Sequence, residues 1–97
     1  MKILAIEKEV PGVTEAQFTE AILHAEAAKA WDLYQSGVLR EMYFSAEKHE
    51  AILMLEAGNA EEARSQLARL PLVRAGLIDF EIIPLVPYPG FGRLFTR

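Results

Sequence analysis

Four short stretches of this chain are apolar or alternate apolar with polar residues, and two longer stretches carry apolar residues at helical spacing. Lys2 to Val10 reads as the first strand and closes at the turn signal Pro11-Gly12. Thr14-Glu15-Ala16-Gln17 has the capping-box form, which predicts a helix from about Glu15 to Ser36, stopped by Gly37 in the left-handed C′ conformation. Val38 to Ala46 is the second strand, Glu47-Lys48-His49 a polar turn, and Glu50 to Ala57 the third strand. Gly58 ends that strand, and Asn59 caps a second helix with Glu62 at its third position. Ala63, Leu67 and Leu70 form one apolar stripe on this helix, which is expected to run to Leu70-Pro71-Leu72. Phe80 to Val86 is the fourth strand, and Pro84 within it predicts a sheet edge.

The order β-α-β-β-α-β predicts an α+β, ferredoxin-like domain: a four-stranded antiparallel sheet with both helices on one face. The bare face would take Ile3/Ala5 or Leu4/Ile6, Met42/Phe44, Ile52/Met54 or Leu53/Leu55, and Ile82 or Ile83. Neither parity of the third strand is polar between its ends, so both faces are expected to be buried, the second against another subunit. Residues 87–97 form an extended tail whose Pro87, Pro89, Gly90 and Gly92 bar a strand and whose Tyr88, Phe91, Leu94 and Phe95 call for another surface. A single domain over residues 1–97 in a homodimer or higher homo-oligomer is therefore expected.

Composition agrees with assembly. The chain has 97 residues, and a domain of that size buries only roughly 60–65% of its unfolded surface. Its 52% apolar content exceeds the usual ~45–50%. A net charge of −4 without a densely basic window argues against nucleic acid and anionic membrane surfaces as partners. The absence of cysteine excludes disulfides and thiolate chemistry. No apolar run approaches the ~18 residues of a membrane span, and Met1-Lys2 leads directly into strand sequence, so a cytoplasmic protein is expected.

Candidate chemistry centres on the first helix. On a wheel at about 100° per residue, Phe18, Ile22, Ala25, Lys29 and Leu33 share an arc, and Glu26 lies beside Ile22 and Leu33. A carboxylate facing the sheet there has its pKa raised by desolvation, as a general acid or base near neutrality requires. The competing reading pairs Glu26 with Lys29 at the helix edge. Arg40 and Tyr43, on the second strand, are candidates to line a pocket beneath the helix. Arg40 offers a planar fork for a carboxylate substrate, or else a surface pair with Glu41 or Glu81. His24 falls about 160° from Glu26, and His49 lies in a turn, so both read as solvent residues. No metal-ligand spacing or cofactor motif occurs, and neither metal nor cofactor is expected. Trp31, on the outer side of the wheel, is an interface candidate.

Ser36-Gly37 with Leu39-Arg40, the Gly58-Asn59-Ala60-Glu61-Glu62 helix start, Leu70-Pro71-Leu72, and Glu81-Ile82 with prolines after it resemble the muconolactone isomerase-like family. The resemblance runs from about residue 21 to residue 88. It implies a dimeric α+β barrel made from two four-stranded sheets, frequent higher oligomers, and cofactor-independent proton transfer on small lactones. It also implies a role for Glu26, which matches a family glutamate counted back from Ser36-Gly37. The family lysine one turn earlier falls at Leu23, a departure from the isomerase pattern. The expectation is an isomerase-like protein in which Glu26 is catalytic and Arg40, Tyr43 and Lys29 bind substrate. A non-catalytic ligand-binding or structural oligomer and a cofactor-free monooxygenase are the alternatives.

Overall fold

A computed structural model describes residues 1–96. Strands β1 (Lys2–Glu9), β2 (Leu39–Phe44), β3 (Ala51–Glu56) and β4 (Ile78–Pro84) form one antiparallel sheet in the order β2-β3-β1-β4. Helices α1 (Glu20–Gln35), α2 (Ala60–Leu67) and α3 (Pro71–Arg74) complete it. Ile3 and Ala5 of β1, Leu53 and Leu55 of β3, and Phe80 of β4 are buried with Leu33 of α1, Ala63 and Leu67 of α2, and Leu70. Among the described residues the core holds no buried polar or charged side chain. Its cohesion is therefore apolar burial, at about 25 cal/mol per Å². Pro84 of β4 pairs with Ile3 of β1, and β4 is an edge strand whose outer side needs no proline N–H.

Two helix boundaries differ from the sequence reading. Glu15–Gln17 is a separate 3-10 turn, in which the Gln17 side chain accepts from the Thr14 amide at 2.8 Å. The chain then breaks at Phe18, which packs against the core, and Thr19 caps α1 by accepting from the Ile22 amide at 3.3 Å. A second threonine able to satisfy an orphan helix N–H makes the later start as good as the earlier one. The second helix is likewise two. α2 begins under Asn59, which accepts from the Glu62 amide at 2.8 Å, and ends at Leu67. Pro71 does not stop this helix but opens α3 from its first position, because proline holds Leu70 extended and lacks the N–H a helix start does not need.

Both α1 and α3 end on a glycine that their geometry requires. Gly37 (φ 84°) follows α1, where the Gly37 amide bonds the Tyr34 carbonyl at 3.2 Å and the Val38 amide bonds the Leu33 carbonyl at 3.0 Å. Gly76 (φ 73°) repeats this paired arrangement after α3 through Val73 and Leu72.

A third difference lies in β2. Leu39 pairs with Leu55, but Glu41 already pairs with Met54, so Arg40 is one residue too many. This bulge reverses the parity of the rest of the strand. Met42 and Phe44 oppose Leu53 and Ala51 on the helix-covered face, not on the bare face where Met42/Phe44 was expected. The bare face instead carries Leu4, Ile6, Ile52, Met54 and Ile83, with Leu4 opposite both Met54 and Ile83. The fourth strand also starts two residues earlier than expected, at Ile78, and ends at Pro84. Beyond it the tail winds into a 3-10 turn over Gly90–Leu94, and the Tyr88 and Phe91 rings meet edge to face at 5.0 Å. Tyr88, Phe91, Leu94 and Phe95 are all exposed.

Candidate functional site

The sheet face under α1 is not filled along its whole length. Near the C-terminal end of β1 the side chains shorten to Ala51 on β3 and to Ala27 and Ala30 on α1, and an open-mouthed cavity of about 540 Å³ results. Leu39, Met42 and Phe44 of β2 form one wall, and Leu72, Ile78 and Phe80 another. Leu23, Trp31 and Tyr34 of α1, all exposed, also line the cavity. Trp31 and Tyr34 stack at 5.6 Å between ring centroids, so Trp31 is a cavity residue and not simply an outer-surface one.

Two carboxylates enter this apolar space. Glu26 comes from α1, half-buried, and its Oε1 accepts from the Leu72 backbone amide at 2.9 Å. That amide belongs to the first turn of α3, whose own N-cap, Leu70, has no side chain to offer. No described residue bonds Oε2 of Glu26. Burial raises the Glu26 pKa above the ordinary 4.5; the Leu72 amide partly offsets this, and the negative charge of Glu7 adds to the rise. Glu7 follows Ile3 and Ala5 on the helix-facing side of β1, and its Oε1 accepts from the Ala51 amide at 2.9 Å. The alternation Ile3, Ala5, Glu7 was the sequence signal for this second carboxylate, since residues two apart share a strand face.

The remaining candidates lie elsewhere. Lys29 does not pair with Glu26: its Nζ sits 3.8 Å from Asp32 Oδ2. Arg40 donates from Nε to the Gly37 carbonyl at 2.6 Å, in a separate cleft beside Tyr34 and Gln35. Tyr43, turned outward by the bulge, is exposed on the bare face and donates to Glu41 Oε1 at 2.8 Å. That bond and the adjacent charge raise its pKa. None of the three lines the cavity, contrary to the expectation that Arg40 and Tyr43 lie beneath the helix. His24 and His49 are both exposed. No described group of three His, Asp or Glu side chains is placed to hold a metal, and no described helix is long and apolar enough to cross a membrane.

An apolar cavity with one desolvated carboxylate and a second beside it is suited to moving a proton on an organic ring. No curated protein matches the chain by sequence. Among solved structures, muconolactone isomerase superposes with a TM-score of 0.73 at 21% identity, covering 92% of each chain. The 5-chloro-2-hydroxyhydroquinone dehydrochlorinase of Burkholderia phenoliruptrix, in complex with 2,5-dihydroxybenzoquinone, superposes with a TM-score of 0.65 at 19% identity. That alignment covers 93% of this chain and 98% of the dehydrochlorinase. At such identities the two structures establish the fold, that of a dimeric α+β barrel. The sequence pattern of the muconolactone delta-isomerase family matches residues 3–90, from the first strand into the tail, and this chain belongs to that family.

Proposed function

We propose that the protein is a cofactor-independent isomerase that moves a proton on a small unsaturated lactone or organic acid, with Glu26 as the acid–base residue. One observation carries this reading: the Glu26 carboxylate stands in the wall of an apolar cavity of about 540 Å³ with one oxygen held by Leu72 and the other bonded by no described residue. In the reaction, Oε2 takes a proton from the carbon next to the ring's unsaturated system. The C–H electrons pass into the conjugated carbonyl as a dienolate. Glu26 then returns the proton to a different carbon of the same system, and the double bond has moved with no net change in composition. The raised pKa makes Glu26 a stronger base toward that carbon than an ordinary carboxylate, and its half-buried carboxyl exchanges with solvent in competition with the return. We further propose that the chain works as a cytoplasmic homo-oligomer whose bare sheet faces pair over Leu4, Ile6, Ile52, Met54 and Ile83, with its tail against a neighbour.

The test is incubation of the protein with unsaturated five-membered lactones in D₂O, followed by NMR for double-bond migration and deuterium uptake. Loss of both in Glu26→Gln supports the assignment. Isomerisation that survives this substitution removes Glu26 as the base. A second reading rests on the Leu72 bond itself: Glu26 caps α3, and the cavity binds a ligand without changing it. Ligand binding without double-bond migration in the parent protein would favour that reading.

A further inference from the structure

Helix α1 brings an acid and a flat apolar surface to the cavity at separate places. Trp31 and Tyr34 come five and eight residues after Glu26, which sets them about 7.5 and about 12 Å further along the axis. Ala27 and Ala30 line the stretch between, with side chains that end at Cβ. The Trp31 and Tyr34 rings are 5.6 Å apart with their planes 27° from parallel, so they present one stacked platform. Phe44 of β2 and Phe80 of β4 line the same cavity.

The volume points the same way. A bare butenolide has about six heavy atoms, and at the volume of one water each, roughly 30 Å³, it fills only about a third of the 540 Å³. Small-molecule sites enclose about 70–90% of their ligand's surface. A ring confined to the Glu26 end would leave the aromatic walls against water, without the contacts that flat apolar surface can make. An aryl group carried by that ring raises the filled share to about two thirds on the same measure.

Contact with a remote part of the ligand also serves the chemistry. A group gripped on the platform fixes the reacting ring against Glu26, and binding energy gathered away from the reacting atoms raises turnover as well as affinity. Resting on the isomerase reading, we infer that the cavity takes an aryl-substituted unsaturated lactone or organic acid, its reacting ring at Glu26 and its aryl group on the Trp31–Tyr34 stack, and that Trp31 is the residue that selects the aryl group.

The experiment is calorimetric titration of the full chain, in its native assembly, with three butenolides that differ in one substituent: methyl, cyclohexyl or phenyl. NMR in D₂O follows double-bond migration on each. The phenyl compound is expected to bind at least about tenfold more tightly than the methyl compound. It should also bind about threefold more tightly than the cyclohexyl compound, which is of similar size but cannot stack. Trp31 is the only tryptophan of the chain, so its fluorescence should change as the phenyl compound binds. Trp31→Leu is expected to bring the phenyl and cyclohexyl compounds level, and Trp31→Phe to restore their order. Equal binding of the methyl and phenyl compounds, with the methyl compound still isomerised, overturns the inference and leaves the isomerase reading standing. So does rejection of the phenyl compound, which would show the platform covered by a neighbouring subunit. A phenyl preference that survives Trp31→Leu overturns the role of Trp31. Tight phenyl binding without migration in any compound overturns the isomerase reading and leaves the aryl platform in place.

Discussion

Glu26 and Leu72 are 46 residues apart in sequence, and the carboxylate of one accepts the backbone amide of the other at 2.9 Å. The bond ties the middle of α1 to the first turn of α3. It also fixes which oxygen of Glu26 is committed to structure.

Glu26→Gln is expected to leave the fold intact, because the amide oxygen can still accept from Leu72. Its stability should equal or exceed the parent's at neutral pH, since a partly desolvated charge beside Glu7 is gone. Glu26→Ala leaves the Leu72 amide without this acceptor and is expected to cost about 1–2 kcal/mol. Urea unfolding of the two variants separates the cases, and equal losses in both would discount the capping bond.

The raised Glu26 pKa sets the direction of two pH effects. A carboxyl that binds its proton more tightly folded than unfolded stabilises the fold most below the ordinary value of 4.5. That contribution is lost as pH rises through the raised folded value. The stability of the parent relative to Glu26→Gln should therefore fall as pH increases through that window. The proposed isomerase activity, which needs the free base, should rise through the same window. Glu7→Gln removes the neighbouring charge, so both transitions should move to lower pH. A transition that stays in place would show that Glu7 does not act on Glu26.

Gly37→Ala is expected to cost about 1 kcal/mol or more, because φ of 84° strains any residue with a Cβ. The nearest atom to a Cβ there is an Arg40 nitrogen at 3.8 Å, an ordinary contact, so the loss is conformational and not steric. Thermal denaturation measures it; an unchanged melting temperature would mean that the helix end relaxes.

Removing residues 88–97 is expected to leave the monomer fold unchanged, since no described tail side chain is buried. It should reduce the size of the proposed oligomer, as read by light scattering after gel filtration. Met54→Lys, on the bare sheet face, should act more severely and give monomers. A truncated chain with the parent's mass and melting temperature would show that the tail docks nowhere.

The element order was legible because period-two and helical patterns seldom overlap in this chain, and Pro11-Gly12, Gly37 and Gly58 punctuate them. Glu26 was legible for a related reason: a carboxylate in an apolar arc of a helix wheel has few places to go. The breaks at Phe18 and Leu70 were less so. Thr14 and Thr19 offer competing caps, and a proline after a leucine either ends a helix or begins one, depending on which bend buries Leu70. Glu7 required reading Ile3 and Ala5 as one inward face and continuing two residues further. The places of Arg40 and Tyr43 turn on a bulge that only the register with β3 reveals.

The extra residue in β2 is the one position of that strand that can be lost without moving the pocket wall. A chain one residue shorter at Arg40 would pair Leu39, Glu41 and Met42 with Leu55, Met54 and Leu53 in an unbroken ladder, keeping Met42 and Phe44 inward and Glu41 and Tyr43 outward. The loss would fall on the neighbouring cleft, which Arg40 lines. Deleting a residue within the regular part of the strand would instead exchange its two faces beyond the deletion. Ligand binding by the chain lacking Arg40 should therefore match the parent's.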